Sequence, residues 1–351
     1  MKNKVFSPPN YRRRFLWLGA AFLAAFFGSF LLGRYGVSLH TLLKILSADA
    51  LRSLSFGRIV PVPTWTETEA SVVLNIRLPR IVVAALVGAA LSAAGAAFQG
   101  MFRNPMVSPD LLGASTGAGF GASLAILLSL GYFGISLTAF CFGMGAVLLA
   151  CLVSRYSRLS STLSMVLAGV MISSLFSSCT SFVKLVADTE EQLPAITYWL
   201  MGSLRDVKRG DMLFALIPIA VGLAPLLLLR WRINLLTISE AEARSLGVNT
   251  RRLRTVVILC ATLVTSASVA VSGMIGWVGL VIPHFCRMMF GQDYRRILPA
   301  SVLMGSTFLM VVDDIARVVS TSEIPLGILT SFVGAPVFIY LILGGGLDRG
   351  T

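Results

Sequence analysis

Five charged residues stand where an apolar chain carries few: Arg77 and Arg80 in NIRLPR, and Asp313, Asp314 and Arg317 in VVDDIARVV. An arginine beside an apolar run can snorkel to the interface, pair with a carboxylate of its own chain, or present its fork of donors to an acidic partner. For Arg317 the internal pair is close at hand, because Asp313 and Asp314 precede it by four and three positions on one helix face. A second set is made of amide, hydroxyl and proline. Asn104-Pro105-Met106 runs into Val107-Ser108-Pro109, and Ser160-Ser161-Thr162 follows Arg155 and Arg158. The two prolines interrupt the connection between two apolar runs, and non-helical backbone at membrane depth survives only where protein or a cavity surrounds it. The first segment is either the lining of a path or a tight turn. The hydroxyls of the second either cap a helix or face an axis.

The third set is the longest polar island in the chain, Arg230 to Arg254, with six arginines and two glutamates. Ser239 followed by Glu242 has the spacing of a capping box, so a helix is expected to start there. Gly247 supplies the left-handed residue that stops it after about two turns, and Asn249 or Thr250 can cap the next. Two short helices around a bend are expected. The competing reading is a connecting loop whose arginines only orient the chain.

These sets do not make an enzyme. There is no Ser/His/Asp grouping and no His-rich set on one side of the membrane. The five cysteines, Cys141, Cys151, Cys179, Cys260 and Cys286, lie within or at the ends of apolar segments without C-x-x-C spacing, and His40 and His284 are the only histidines. No metal or haem ligation follows from such spacing. A G-x-x-x-x-G-K-[ST] string is absent, so the chain has no phosphate loop of its own.

The elements that must hold these residues are membrane helices. The chain is 56% hydrophobic and 13% charged, against about 25% charged in a soluble domain. The net charge of +13 comes from basic residues lying between apolar runs, which is the positive-inside pattern and not a nucleic-acid surface. Runs of about 20 residues, enough to cross a bilayer, lie near 15–33, 80–102, 111–131, 134–154, 163–186, 211–230, 255–273, 274–290, 297–319 and 325–343. The seventh and eighth are divided only by Gly273-Met274-Ile275-Gly276. With the basic tail 1–14 in the cytoplasm, ten spans place the 231–254 island and the tail 344–351 there too, and 18 of the 29 Lys+Arg fall on that side. The first run is too long for a signal peptide and is expected to remain as a span. The expectation is an all-α integral membrane protein, one ten-helix domain over 15–343 with both termini cytoplasmic and an external segment at 37–72.

The chain resembles the ten-helix permeases of bacterial ABC importers for iron-siderophores, haem and vitamin B12. The likeness runs from about Asn75 to Leu343 and rests on IRLPR (76–80), GAALSAAGAAFQGMFRNPMVSPDLLG (88–113), MVLAG (165–169), QLPAITYWLMGSL (192–204), EARSLGV (242–248), GWVGLVIPH (276–284) and EIPLGILTSFVGAPVFIYLIL (323–343). It implies the type II importer permease fold in the bacterial inner membrane. The implied partners are a second copy making a homodimer, two ATP-binding subunits and an extracytoplasmic substrate-binding protein. No cofactor is expected on this chain, with ATP and Mg on the ATPase. By position, the resemblance makes Arg77, Arg80 and Arg317 the docking residues for the binding protein. Asn104 and Met106, with Ser161 and Thr162, fall on the two cytoplasmic gate segments. The 239–254 stretch matches the coupling helices, with Ser239, Glu240, Glu242, Arg244, Leu246 and Gly247 at the ATPase. An ion-coupled secondary transporter is the alternative, and it needs buried ionisable residues, for which Asp313 and Asp314 are the candidates.

Overall fold

A computed structural model describes residues 10–33, 35–54, 64–157, 161–238, 240–320 and 322–343. Among the described residues every regular element is helical. In chain order they are α1 (Tyr11–Leu31), α2 (Leu39–Leu54), α3 (Glu67–Ser71), α4 (Leu78–Phe102), α5 (Ala114–Leu127), α6 (Tyr132–Tyr156), α7 (Ser161–Val186), α8 (Gln192–Met201), α9 (Arg209–Leu228), α10 (Arg230–Thr237), α11 (Glu240–Ser245), α12 (Thr250–Ser272), α13 (Val278–Phe290), α14 (Tyr294–Val319) and α15 (Leu326–Leu343). A helix therefore stands on each of the ten apolar runs. Among the described residues six helical stretches are long and apolar enough to cross a membrane alone, and α5, α13 and α15 are shorter apolar helices.

The core is built around α4, whose residues from Gly88 to Phe102 are all buried. It packs on α12, α13 and α14 because small residues let backbones approach. A Cβ on Gly95 would lie 1.8 Å from the Gly279 carbonyl oxygen, and one on Gly88 would lie 2.2 Å from that of Gly305. Contacts this close replace the hydrophobic drive that lipid does not supply. The doubtful division between the seventh and eighth runs falls at Gly273, which ends α12 with φ +67. Its α-carbon faces the Trp199 carbonyl, so a side chain has no room there.

The described residues of the 37–72 segment include α2 and α3. On α2, Leu42 and Ile45 are buried while Leu39, Leu43 and Leu51 stay exposed, and Asp49 pairs with Arg209 of α9 at 3.3 Å. Thr66 and Glu69 form a reciprocal capping box that starts α3. A π-helical stretch, Val72–Arg77, then joins α3 to α4. The wider π turn shifts the register of the face that follows, and Arg77 at its end is buried.

Contacts sort the polar segments into two ends. At the basic end, Arg14 donates to the Met289 carbonyl, Arg296 lies 3.8 Å over the Tyr11 ring, and the 103–106 turn meets α10. At the opposite end, Arg77 meets the last turn of α1, and Leu326 N donates to Gly202 O at 2.9 Å.

Candidate functional site

The three arginines expected to face an external partner are buried, with 3% (Arg77), 7% (Arg80) and 8% (Arg317) exposure. Each of them donates within the chain. Arg80 is bidentate to Asp313, with Nε 2.8 Å from Oδ2 and Nη2 2.8 Å from Oδ1, and its Nη1 reaches Glu323 Oε1 at 3.2 Å. Arg317 pairs with Asp314 and donates to the Ser29 carbonyl at 2.6 Å. Ser29 Oγ in turn donates to Asp314 at 2.7 Å. Arg77 donates to the carbonyls of Phe30 and Tyr35, the first of which is in the last turn of α1. Gly33, with φ +150, makes room, since a Cβ there would sit 2.7 Å from an Arg77 nitrogen. The three arginines expected to dock the binding protein thus also form an internal staple that fastens α1 and Glu323 to α4 and α14. A guanidinium buried this far is held by such partners, and removing one of them is costly.

The 103–107 segment is a tight turn. Arg103 ends α4 in the left-handed region at φ 52. Asn104 Oδ1 then accepts from Met106 N at 2.9 Å, an Asx turn, and Val107 N donates back to Asn104 O at 3.3 Å. Asn104 and Met106 are exposed. Pro109 begins a short 3-10 turn, Pro109–Leu112, that packs under α7, where a Cβ on Gly169 would lie 2.2 Å from Leu111 O. Ser161 and Thr162 open α7, and Thr162 is half-buried. The structure brings α7 to the 109–112 turn, next in chain to Asn104 and Met106.

The polar island folds into helices, with two changes from expectation. Arg230–Thr237 is a helix of its own, α10, and the helix after Gly247 is no short one but the first turns of the long α12. Ser239, and with it the expected capping box, lies outside the described residues, as do the side chains of Glu240 and Arg244. Gly247 has φ +75 and ends α11, with Val248 N donating to Ala243 O at 3.2 Å, the long bond of a Schellman cap. Asn249 caps α12 by accepting from Arg252 N at 3.0 Å. Of α11, Ala243 is buried against the protein, while Glu242 and Ser245, and Leu246 just after it, are exposed.

Sequence reasoning passed over four residues that hold these parts together. Gln99, a lone amide in the apolar run of α4, is 2% exposed and donates to the carbonyls of Val107, Gly279 and Leu280. Its Oε1 accepts from Arg287 at 2.6 Å. Asn234 of α10 donates to Asp293 Oδ1 and accepts from Tyr294 N, both at 2.9 Å. Asp293 caps α14 from between two helices. Its burial opposes the charge, but donors from Arg295 N and Asn234 and the charges of Arg296 and Arg295 outweigh that and hold its pKa below the usual carboxylate value. Glu323, with φ 51, is the fourth. Only the polarity of Gln99 within an alanine-rich run could have marked one of them in advance.

At the end opposite the island, a cavity of about 620 Å³ is lined by Tyr132, Tyr198, Trp199, Arg205, Asp206 and Glu323 among others. Glu323 thus touches both this cavity and Arg80.

The family model described as the FecCD transport family matches residues 21–344. The chain belongs to the FecCD transport family. Among its relatives is the molybdate import system permease protein MolB of Haemophilus influenzae, 39% identical over 91% of this chain and 92% of that protein. The cobalamin import system permease protein BtuC of Halobacterium salinarum is 40% identical over 79% of this chain and 74% of that one. A solved structure of a metal-chelate type ABC transporter in an inward-facing conformation superposes with a TM-score of 0.83 at 36% identity, covering 95% of this chain and 99% of that one. As a FecCD member the chain is a multi-pass membrane permease subunit of an ABC transporter. Its role is transport and not catalysis, and it works with an ATPase and a substrate-binding protein.

Proposed function

We propose that two copies of this chain form the path of an importer in the bacterial inner membrane, with the basic end cytoplasmic and the cavity end facing the binding protein. The observation that carries this reading is the placement of α11. It is an exposed short helix, stopped by Gly247, at the same end as the 103–107 turn. Such a helix, on a chain without a phosphate loop, suits a cleft on an ATPase that holds ATP and Mg. Closure of the ATPases displaces α11, and the displacement opens or closes the path at the two gate segments, Asn104 with Met106 and Ser161 with Thr162. Exposed apolar side chains such as Val170, Met171 and Leu175 on α7 and Phe332 and Val333 on α15 are suited to lipid or to the second copy.

The cargo is a metal chelate of the iron-siderophore, haem or cobalamin kind, in keeping with the likeness to a metal-chelate transporter and to a cobalamin permease. A second reading, an oxyanion, is favoured by the molybdate relative, which matches over more of the chain. The complex reconstituted in vesicles with its ATPase and binding protein decides both. Uptake of labelled chelate that requires ATP supports the first reading and uptake of molybdate the second. Uptake that persists without the ATPase overturns the importer.

A further inference from the structure

Arg103 lies between the two parts that the proposed function requires to communicate. It is the residue immediately before Asn104, and it ends α4 with φ 52. Its Nε donates to Leu236 O at 2.9 Å and its Nη2 to Ile238 O. Both carbonyls belong to the C-terminal end of α10, two residues from where α11 begins. A guanidinium suits that position, because unpaired carbonyls and the negative end of the helix dipole meet there.

The turn that follows is gripped from its other side. Gln99, one helical turn before Arg103, holds Val107 O at 3.2 Å and is itself fixed by the Gly279 and Leu280 carbonyls and by Arg287. The last turn of α4 therefore holds both ends of the 104–107 turn, one end against α13 and the other against α10. The second fastening of α10 is Asn234, whose amide is committed to Asp293 and Tyr294 at the start of α14. Tyr294 packs on α4 at Gly100, where a Cβ would lie 2.8 Å from its ring. The side-chain hydrogen bonds at α10 lead two ways, through Arg103 to the turn and through Asn234 to α14.

We propose that Arg103 is the positioning residue that carries displacement of the α10–α11 segment to the 104–107 turn, with Gln99 as the fixed point against which the turn pivots. The inference rests on the importer reading above and names the link within it. A purely structural role, capping α10, predicts lost assembly with coupling intact. Transmission predicts the reverse.

The test uses the whole transporter in vesicles with its ATPase and binding protein, comparing the native chain with Arg103→Ala, Arg103→Gln and Arg103→Lys. For Arg103→Ala, ATP hydrolysis and retention of the ATPase on the purified permease stay within about twofold, while cargo delivered per ATP falls at least about tenfold, the factor expected from losing even one of its two charge-assisted hydrogen bonds. Arg103→Lys recovers part of the loss, since one ammonium reaches a carbonyl without the fork. In a chain with Met106→Cys as the sole thiol, ATP-dependent change in labelling at position 106 disappears with Arg103→Gln. Unchanged cargo per ATP, or a labelling change that survives, overturns the proposal. If Arg103→Ala does not assemble, the Arg103→Gln labelling decides. Native protein that shows no ATP-driven uptake overturns the importer reading itself, a result distinct from native uptake with normally coupled variants.

Discussion

Arg80 of α4 and Asp313 of α14, 233 positions apart in the chain, meet in a bidentate ion pair whose side chains are 8% and 2% exposed. Glu323 and Arg317 flank it, Glu323 3.1 Å from Arg80 and Arg317 3.9 Å from Asp313. Carboxylates matched by guanidiniums in this way hold helices in register. They are poor stations for a coupling ion, which needs a carboxylate that can release its partner, and this weighs against the ion-coupled alternative.

Removal of one member should therefore cost folded protein. Asp313→Ala leaves Arg80 buried without its carboxylate, a loss of about 3–5 kcal/mol for a broken buried pair. Thermal unfolding in detergent should show a large drop, and the double variant Arg80→Leu/Asp313→Leu should recover much of it. Equal losses in single and double variants would mean that the pair is not what holds α4 to α14.

Arg77→Glu separates stapling from docking. The substitution places a carboxylate against the carbonyls of Phe30 and Tyr35, where only donors fit. The yield of monodisperse permease is expected to fall before binding-protein affinity can be read. Normal yield with weakened docking would restore the docking role expected from the resemblance.

Gly95→Ala tests the close approach of α4 and α13. The added Cβ would lie 1.8 Å from a backbone oxygen, which cannot rotate away, so a loss of about 1–3 kcal/mol is expected from overpacking. Gly145→Ala in α6, where nothing lies within 4 Å, is the control and should gain about 0.5–1 kcal/mol from helix propensity. Melting midpoints that move together for the two variants would contradict the contact.

Gly247→Val isolates conformation from space. No atom lies within 4 Å of a Cβ at this position, but φ is +75, and a β-branched residue there costs about 1–2 kcal/mol. ATP hydrolysis should become independent of cargo while the protein stays in the membrane, and Gly247→Asn should be tolerated. Full coupling in the valine variant would remove the bend from the mechanism.

The tie between Asn234 and Asp293 has a pH signature. The Asp293 pKa is lower in the folded protein than its ordinary value, so its stabilising contribution is complete above the ordinary carboxylate range. That contribution is lost as pH falls through the depressed folded value. Stability measured from neutral pH downward should fall less steeply in Asp293→Asn than in the native chain, and identical slopes would show that Asp293 does not contribute.

The positions of the membrane helices were legible along the chain because each must satisfy its own backbone hydrogen bonds in lipid, and an apolar run of sufficient length reports that need locally. The stop at Gly247 was legible for the same reason, since a left-handed residue with one carbonyl cap is a local event. Arginine type and spacing, by contrast, marked Arg77, Arg80 and Arg317 without saying what they face. Whether a guanidinium meets a partner protein or Asp313 depends on which helices pack together, and that is settled by contacts such as Gly88 on Gly305. Arg103 and Asn234 carry no local signature at all, and Gln99 carries only its polarity within an alanine-rich run. Their partners are backbone carbonyls, an amide and a carboxylate brought near by other helices. A hydrogen bond between elements far apart in sequence exists only once close packing has set the distance between them. The amino-acid order thus determined the helices, their stops and the family, and the tertiary structure alone decided which polar groups became staples and which lie between α11 and the 103–107 turn.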